Sequence, residues 1–240
     1  MTANTLTVGI LGMHRSGTSC LTGCLQEAGL YLGKHHRWNP YNRRGNRENQ
    51  DFCDLNNSVL ESNFASWKEP VSGCLWSEAQ ILQGQRLVEA YQSFPQWGFK
   101  DPRTLLTLEG WCRIISDLQF VGVFRHPLCV AESLHKRDGL PYDQCFALWL
   151  FYNNRLLRVK REVYFPLLNF DWPKALFEQK VRGLAESFGL EGEHKNTEES
   201  FYTPSLKHQL ADDWSGVPKS CRALYYELVA VSEEQVSNVG

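Results

Sequence analysis

Val8-Gly-Ile-Leu-Gly-Met-His-Arg-Ser-Gly-Thr-Ser-Cys20 runs from a short apolar segment through a glycine-flanked turn into a helical pattern. Read as strand, turn and helix, it builds an anion site. Unpaired N–H groups of the turn and first helical residues converge there, and the helix dipole adds partial positive charge. The spacing from Gly12 to Gly17 matches a phosphate-binding loop, but the match then breaks. Thr18 and Ser19 stand where a nucleoside-triphosphate loop needs Lys followed by Ser or Thr. Arg15, inside the loop, supplies the cation instead. The pattern argues against an ordinary ATPase or GTPase and for a phosphate-like group on another donor.

Outward from this loop, apolar segments alternate with helical patterns. A strand is expected over 6–11 and a helix over 17–28, stopped by Gly29. Residues 33–49 form a basic, Pro- and Gly-punctuated loop holding His35, His36, Arg37, Arg43, Arg44 and Arg47. Helices are expected over 49–64 and, more weakly, 77–93. A strand ends at Lys100, closed by Asp101-Pro102, and Thr104 is placed to cap a helix reaching about residue 115. Next come a strand over 119–124, Pro127 in the first turn of a helix, a helix over 141–160 and a strand over 163–170. Pro173 opens a helix ending near Gly189; residues 191–200 read as a charged linker, and one helix is expected around 221–229. The order predicts an α/β fold of one domain, 1–240, with a mostly parallel sheet covered by helices on both sides. In such a sheet, ligands collect at the carboxyl ends of the strands. The 12–19 loop, Lys100-Asp101 and Arg125 all end there.

Composition narrows the function classes. The chain has 240 residues, is 42% hydrophobic and carries a formal charge of −2, which suits a substantial core and supplies no basic field for nucleic acid. The eight cysteines form no C-x-x-C pair and no zinc-binding spacing, so they read as reduced, mostly buried thiols of a cytoplasmic protein. Cys20 and Cys24, one helical turn apart, are expected to pack in the core. No signal peptide and no membrane-length apolar run is visible.

Three segments carry a family resemblance. Gly12-Met-His14-Arg15-Ser16-Gly17-Thr18-Ser19 resembles the 5′-phosphosulfate loop of sulfotransferases that use 3′-phosphoadenosine 5′-phosphosulfate (PAPS). Phe124-Arg125-His126-Pro127, with Ser133 beyond it, resembles the family's 3′-phosphate site. Lys100-Asp101-Pro102-Arg103 resembles a K-D-P-R element of the bacterial branch. They occur in the family's order over roughly the first 140 residues. The resemblance implies a sulfotransferase architecture of the P-loop nucleoside-triphosphate-hydrolase type. It also implies PAPS as donor and 3′,5′-adenosine bisphosphate as product, with no metal.

It further implies that His14, Arg15, Ser16, Gly17, Thr18 and Ser19 hold the 5′ end and that Arg125 and Ser133 hold the 3′ end. Arg137 is either a further phosphate contact or a helix-end charge. Gly45-Asn-Arg-Glu48 resembles a G-aromatic-aromatic-E segment of the bacterial branch, with Asn46 and Arg47 in place of the aromatics. Glu48 is therefore the first candidate for the catalytic base, against a first-turn carboxylate on a helix dipole; His36 and His14 follow. Lys100 either stabilises the leaving oxygen or pairs with Asp101. His126 reads as a helix-start residue, and Pro204-Ser-Leu-Lys207-His208 resembles a late element reaching back to the donor. The acceptor is expected to be a hydroxylated or amine-bearing small molecule or carbohydrate, without nucleic acid or membrane. A P-loop small-molecule kinase and a non-catalytic nucleotide-binding protein are the alternatives.

Overall fold

Glycine geometry explains why the first loop can lie so close to the sheet. In the computed structural model, which describes residues 5–38, 45–192 and 213–233, Gly12 has φ 152° and Gly17 φ 91°. A Cβ on Gly12 would sit 2.4 Å from the Val123 carbonyl oxygen, and one on Gly17 would sit 2.3 Å from the Phe170 ring. Only glycine fits either place.

Strands β1 (Leu6–Leu11), β2 (Gln96–Lys100), β3 (Leu118–Phe124) and β4 (Leu167–Asn169) form a parallel sheet in the order β2-β1-β3-β4. Gly9 aligns with Phe99 on one side and Phe120 on the other. The chain leaves β1 toward β2 and returns to β3 on the opposite side, so the strand order reverses around β1. In open α/β sheets, ligands bind at such a reversal, outside the strands' carboxyl ends.

Both faces are covered by the eight helices among the described residues. Val8 and Ile10 of β1 and Val121 and Val123 of β3 pack with α1 (Thr18–Glu27) and α7 (Lys174–Ser187), through Leu21, Leu25, Phe177, Val181 and Leu184. The other face packs against α2 (Gln50–Ser62), α3 (Glu78–Glu89), α4 (Leu108–Ile114), α5 (Pro127–Asp138), α6 (Tyr142–Glu162) and α8 (Lys219–Glu233). Here Phe52 stacks on Phe99 and on Trp111 with ring centroids 4.7 and 5.1 Å apart, and Phe99 meets Trp111 tilted at 5.1 Å. Five of the eight cysteines are buried, as most were expected to be; Cys20 and Cys24 are half-buried and pack against the core, and Cys112 is exposed. No described helix is long and apolar enough to cross a membrane.

Several expected elements change. Thr104 does not cap a helix: Asp101 caps a short 3₁₀ turn, Pro102–Leu105, and α4 begins only at Leu108. The Thr104 hydroxyl is instead a partner of buried Asn56, 3.2 Å away. The strand expected over 163–170 contracts to Leu167–Asn169, because α6 runs to Glu162 and the next residues, Val163 and Tyr164, are exposed. Asn49 caps α2, its side chain accepting from Asp51 N, so Glu48 precedes the helix rather than opening it. Ser77 and Gln80 form a capping box at α3. The helix expected at 221–229 extends to Lys219–Glu233. Arg43, Arg44 and the 204–208 element lie outside the described residues.

Candidate functional site

The loop after β1 is a tight turn, with Ser16 N donating to Met13 O at 3.3 Å. Arg15 sits in its left-handed position, φ 67°. A non-glycine residue there costs about 1–2 kcal/mol, the kind of local strain that accumulates at functional sites. Helix α1 then starts at Gly17 with no side-chain cap and no acidic residue in its first turn. Its N-terminal field is left for an anion. Ser16 is fully buried, and its Oγ has no hydrogen-bond partner among the described residues. Thr18 packs inward beside Gly12.

The two ends expected for a donor meet directly. Arg15 Nε donates to Ser133 Oγ of α5 at 2.6 Å. Burial, then Arg137 and Arg125, pull the Arg15 guanidinium down to about 10, which leaves it charged at neutral pH. Arg125, at the end of β3, lies over the Phe170 ring at 5.4 Å and 3.8 Å from Asp171 Oδ1, and its buried Nε makes no hydrogen bond among the described residues. Asp171 Oδ2 accepts from His126 N at 2.6 Å and from Tyr225 at 3.1 Å. That carboxylate fixes the β3–α5 turn, and His126 is the helix-start residue expected of it. Arg137 lies in the last turn of α5, bonded to Asp138 at 2.7 Å and 5.5 Å from the Trp67 ring.

Lys100 does not pair with Asp101. Its buried Nζ donates to Glu48 Oε1 at 2.6 Å, Asn46 O at 3.1 Å and Ser19 Oγ at 3.3 Å. The knot ties β2, the start of α1 and segment 45–49 together. The Ser19 hydroxyl also donates to Asn46 O, so this predicted donor ligand serves the knot. Burial pushes the Glu48 carboxyl up, but the Lys100 charge and hydrogen bond, with Arg103 and His36, outweigh it and hold the group below its ordinary value. Glu48→Gln should therefore flatten acid unfolding. The wild-type increment is fully present above the ordinary glutamate value of 4.5 and is lost as pH falls through the lower folded value. Thermal melts across that range check it; identical pH profiles for the two proteins would contradict the pairing. His36 is exposed and bonded through its backbone to Glu48 and Arg47.

Asp101, fully buried, turns the other way. Its carboxylate accepts from Asn56 Nδ2 at 2.8 Å, Arg103 Nη1 at 2.8 Å and Arg103 N at 3.2 Å. Asn56 Oδ1 accepts in turn from Thr107 and Trp111. His14 lies against Trp67, centroids 4.6 Å apart and the rings tilted by 44°, with Tyr152 edge-on at 6.1 Å, and Tyr152 holds Trp67 by a bond to its carbonyl.

Asn56, Trp67, Tyr152 and Asp171 escaped the reading of the chain. One signal was present: Asn56 interrupts the apolar stripe of Phe52, Leu55, Val59 and Leu60, as a buried hydrogen-bonding residue would.

No protein-family model matches the chain, and no curated protein matches it in sequence. Solved structures do resemble it in fold. The sulfotransferase domain of the Synechococcus PCC 7002 olefin synthase superposes with a TM-score of 0.54 at 18% identity, covering 99% of this chain and 97% of that one. The sulfotransferase domain from the curacin biosynthetic pathway gives 0.57 at 15% identity, covering 94% and 98%. With its parallel sheet, flanking helices and loop after β1, this chain has the fold of sulfotransferase domains.

Proposed function

We propose that the protein is a sulfotransferase that takes a sulfuryl group from PAPS and places it on a hydroxyl or amine of a small-molecule or carbohydrate acceptor. One observation carries the reading. Among the described residues, the buried polar side-chain atoms without a hydrogen-bond partner include Ser16 Oγ, His14 Nε2, Arg103 Nε and Arg125 Nε, and all four residues stand at the carboxyl edge of the sheet. Burying such groups without a hydrogen bond is costly, and a polyanionic ligand would satisfy them. The residues fit a donor with phosphate groups at two ends. The 5′ end belongs to the loop N–H groups, Ser16 and Arg15; the 3′ end belongs to Arg125 and Ser133.

PAPS supplies, when bound, an activated sulfuryl group. The chain's own part is to hold and orient it. Arg15 and the α1 N-terminus place positive charge where the leaving phosphate oxygen gains negative charge. Lys100, held rigid by Glu48, adds a second fixed cation beside Ser19. Such preorganised charge needs no rearrangement as the reaction proceeds.

The donor half is tested without an acceptor. At 100 times its dissociation constant, 3′,5′-adenosine bisphosphate should stabilise the protein by about 2.7 kcal/mol in a thermal-shift titration, with ATP well behind. Arg125→Ala should weaken bisphosphate about tenfold, near 1.4 kcal/mol, because Asp171 already offsets part of that charge. Equal shifts with ATP would favour a kinase, and no shift with the bisphosphate would end the sulfotransferase reading.

A further inference from the structure

The chain turns at once after β4, and the residue that opens the turn touches both ends of the candidate donor site. Phe170 N donates to Phe124 O at 2.9 Å, which ties the turn to the end of β3. The Phe170 ring lies against Gly17, the residue that starts α1, so closely that a Cβ there would come within 2.3 Å of it. The Arg125 guanidinium rests over the same ring, 5.4 Å from its centroid. Phe177 of α7 meets the ring edge-on, with centroids 5.5 Å apart, and Phe170 is only 9% exposed. One fixed ring therefore contacts both the backbone expected to hold one phosphate and the cation expected to hold the other.

We propose that Phe170 is a positioning residue: it sets the spacing between the α1 N-terminus and Arg125, so that the site selects a nucleotide by where its second phosphate stands. The proposal rests on the sulfotransferase reading above and concerns the donor's geometry, not the transfer step. The ligand class is a nucleoside bisphosphate with phosphates on the 5′ and 3′ oxygens. Moving the second phosphate to the 2′ oxygen keeps the charge and changes the spacing.

Packing against Phe177 asks only for an apolar side chain of about this volume. Two further contacts ask for a flat, stiff one. Gly17 has no side chain, so its backbone lies directly on the ring. Arg125 is buried, and the attraction between a cation and an aromatic face strengthens when both leave water. Asp171 completes the seat. Its Oδ1 stands 3.8 Å from Arg125 Nε, too far for a hydrogen bond, while its Oδ2 is held independently by His126 N and the Tyr225 hydroxyl. An arginine supported on its face and along one side has less freedom to lose when a phosphate binds. The ring turns about two torsions only, and close packing fixes both, so the spacing does not stretch to suit a misplaced phosphate.

Calorimetric titration of the full chain with 3′,5′- and with 2′,5′-adenosine bisphosphate reads the spacing at constant charge. The wild type should bind the 3′,5′ isomer at least about tenfold more tightly than the 2′,5′ isomer. Phe170→Leu should cut that preference to about threefold or less, by losing affinity for the 3′,5′ isomer as the guanidinium loses its seat. Phe170→Tyr, which keeps the ring, should retain the preference. A merely structural loss would lower both affinities alike and leave their ratio where it was. If Phe170→Leu does not fold, Phe170→Met, another apolar side chain without a flat ring, takes its place. An unchanged ratio in that variant, an equal loss in Phe170→Tyr, or no preference in the wild type would overturn the role of Phe170 while leaving the donor site intact. No binding of either isomer would end this proposal and the sulfotransferase reading together.

Discussion

Replacing Asp101 with alanine is expected to remove about 3–5 kcal/mol of folding stability, read from the urea midpoint at constant slope. The carboxylate is fully buried, and three donors converge on it. Alanine would strand the Arg103 guanidinium, which is only 16% exposed, and leave Asn56 with one partner fewer. The loss comes mainly from the uncompensated cation, not from the missing attraction. Asp101→Asn, which keeps an acceptor oxygen, should lose less. A loss below about 1 kcal/mol in the alanine variant would mean that water enters and the network is not closed as described. Because Asp101 adjoins Lys100 on β2, the alanine variant should also loosen the Lys100 knot and lower any turnover.

Arg15→Gly should separate stability from binding. Glycine accepts φ 67° freely, so the strain of about 1–2 kcal/mol is relieved while the bond to Ser133 disappears. The two effects nearly cancel, and the melting temperature should stay close to wild type. Affinity for 3′,5′-adenosine bisphosphate should nevertheless fall by about 1.5–3 kcal/mol, roughly 10- to 150-fold, through loss of a charge-assisted contact. Arg15→Ala should lose as much affinity but sit about 1 kcal/mol below the glycine variant in stability, since alanine keeps the strained backbone. Calorimetric titration and melting of the three proteins make the comparison. A glycine variant that binds normally would show that Arg15 is there only to bridge to α5.

Local information in the chain was enough to place the loop, the helices and three of the four strands closely. Gly12 and Gly17 announce a backbone that must approach something, and the alternation of short apolar runs with helical spacing leads to a parallel sheet. Proline and cap residues mark the element starts within one or two residues, as at Pro127, Pro173 and Ser77. The fourth strand was overextended because β-branched and aromatic residues at 163–165 look the same whether they pair in a sheet or cross over its end. Thr104 misled for a related reason: a threonine placed to cap a helix is equally able to serve a buried amide.

The candidate site divides along the same line. Residue type and spacing within one loop brought together Arg15, Ser16 and the α1 N-terminus, since their neighbours in the chain are their neighbours in space. The pairings that govern the chemistry join residues 45, 52 and 118 positions apart: Asn56 with Asp101, Glu48 with Lys100, and Arg15 with Ser133. No periodicity reaches across such separations. From the chain alone, Lys100 could equally face Asp101 beside it. Successive side chains on a strand point to opposite faces, and this geometry sent Lys100 to Glu48 and Asp101 to Asn56. The same holds for His14. Its place in the loop suggested a donor contact, and only the tertiary packing set its ring between Trp67 and Tyr152, residues 53 and 138 positions away.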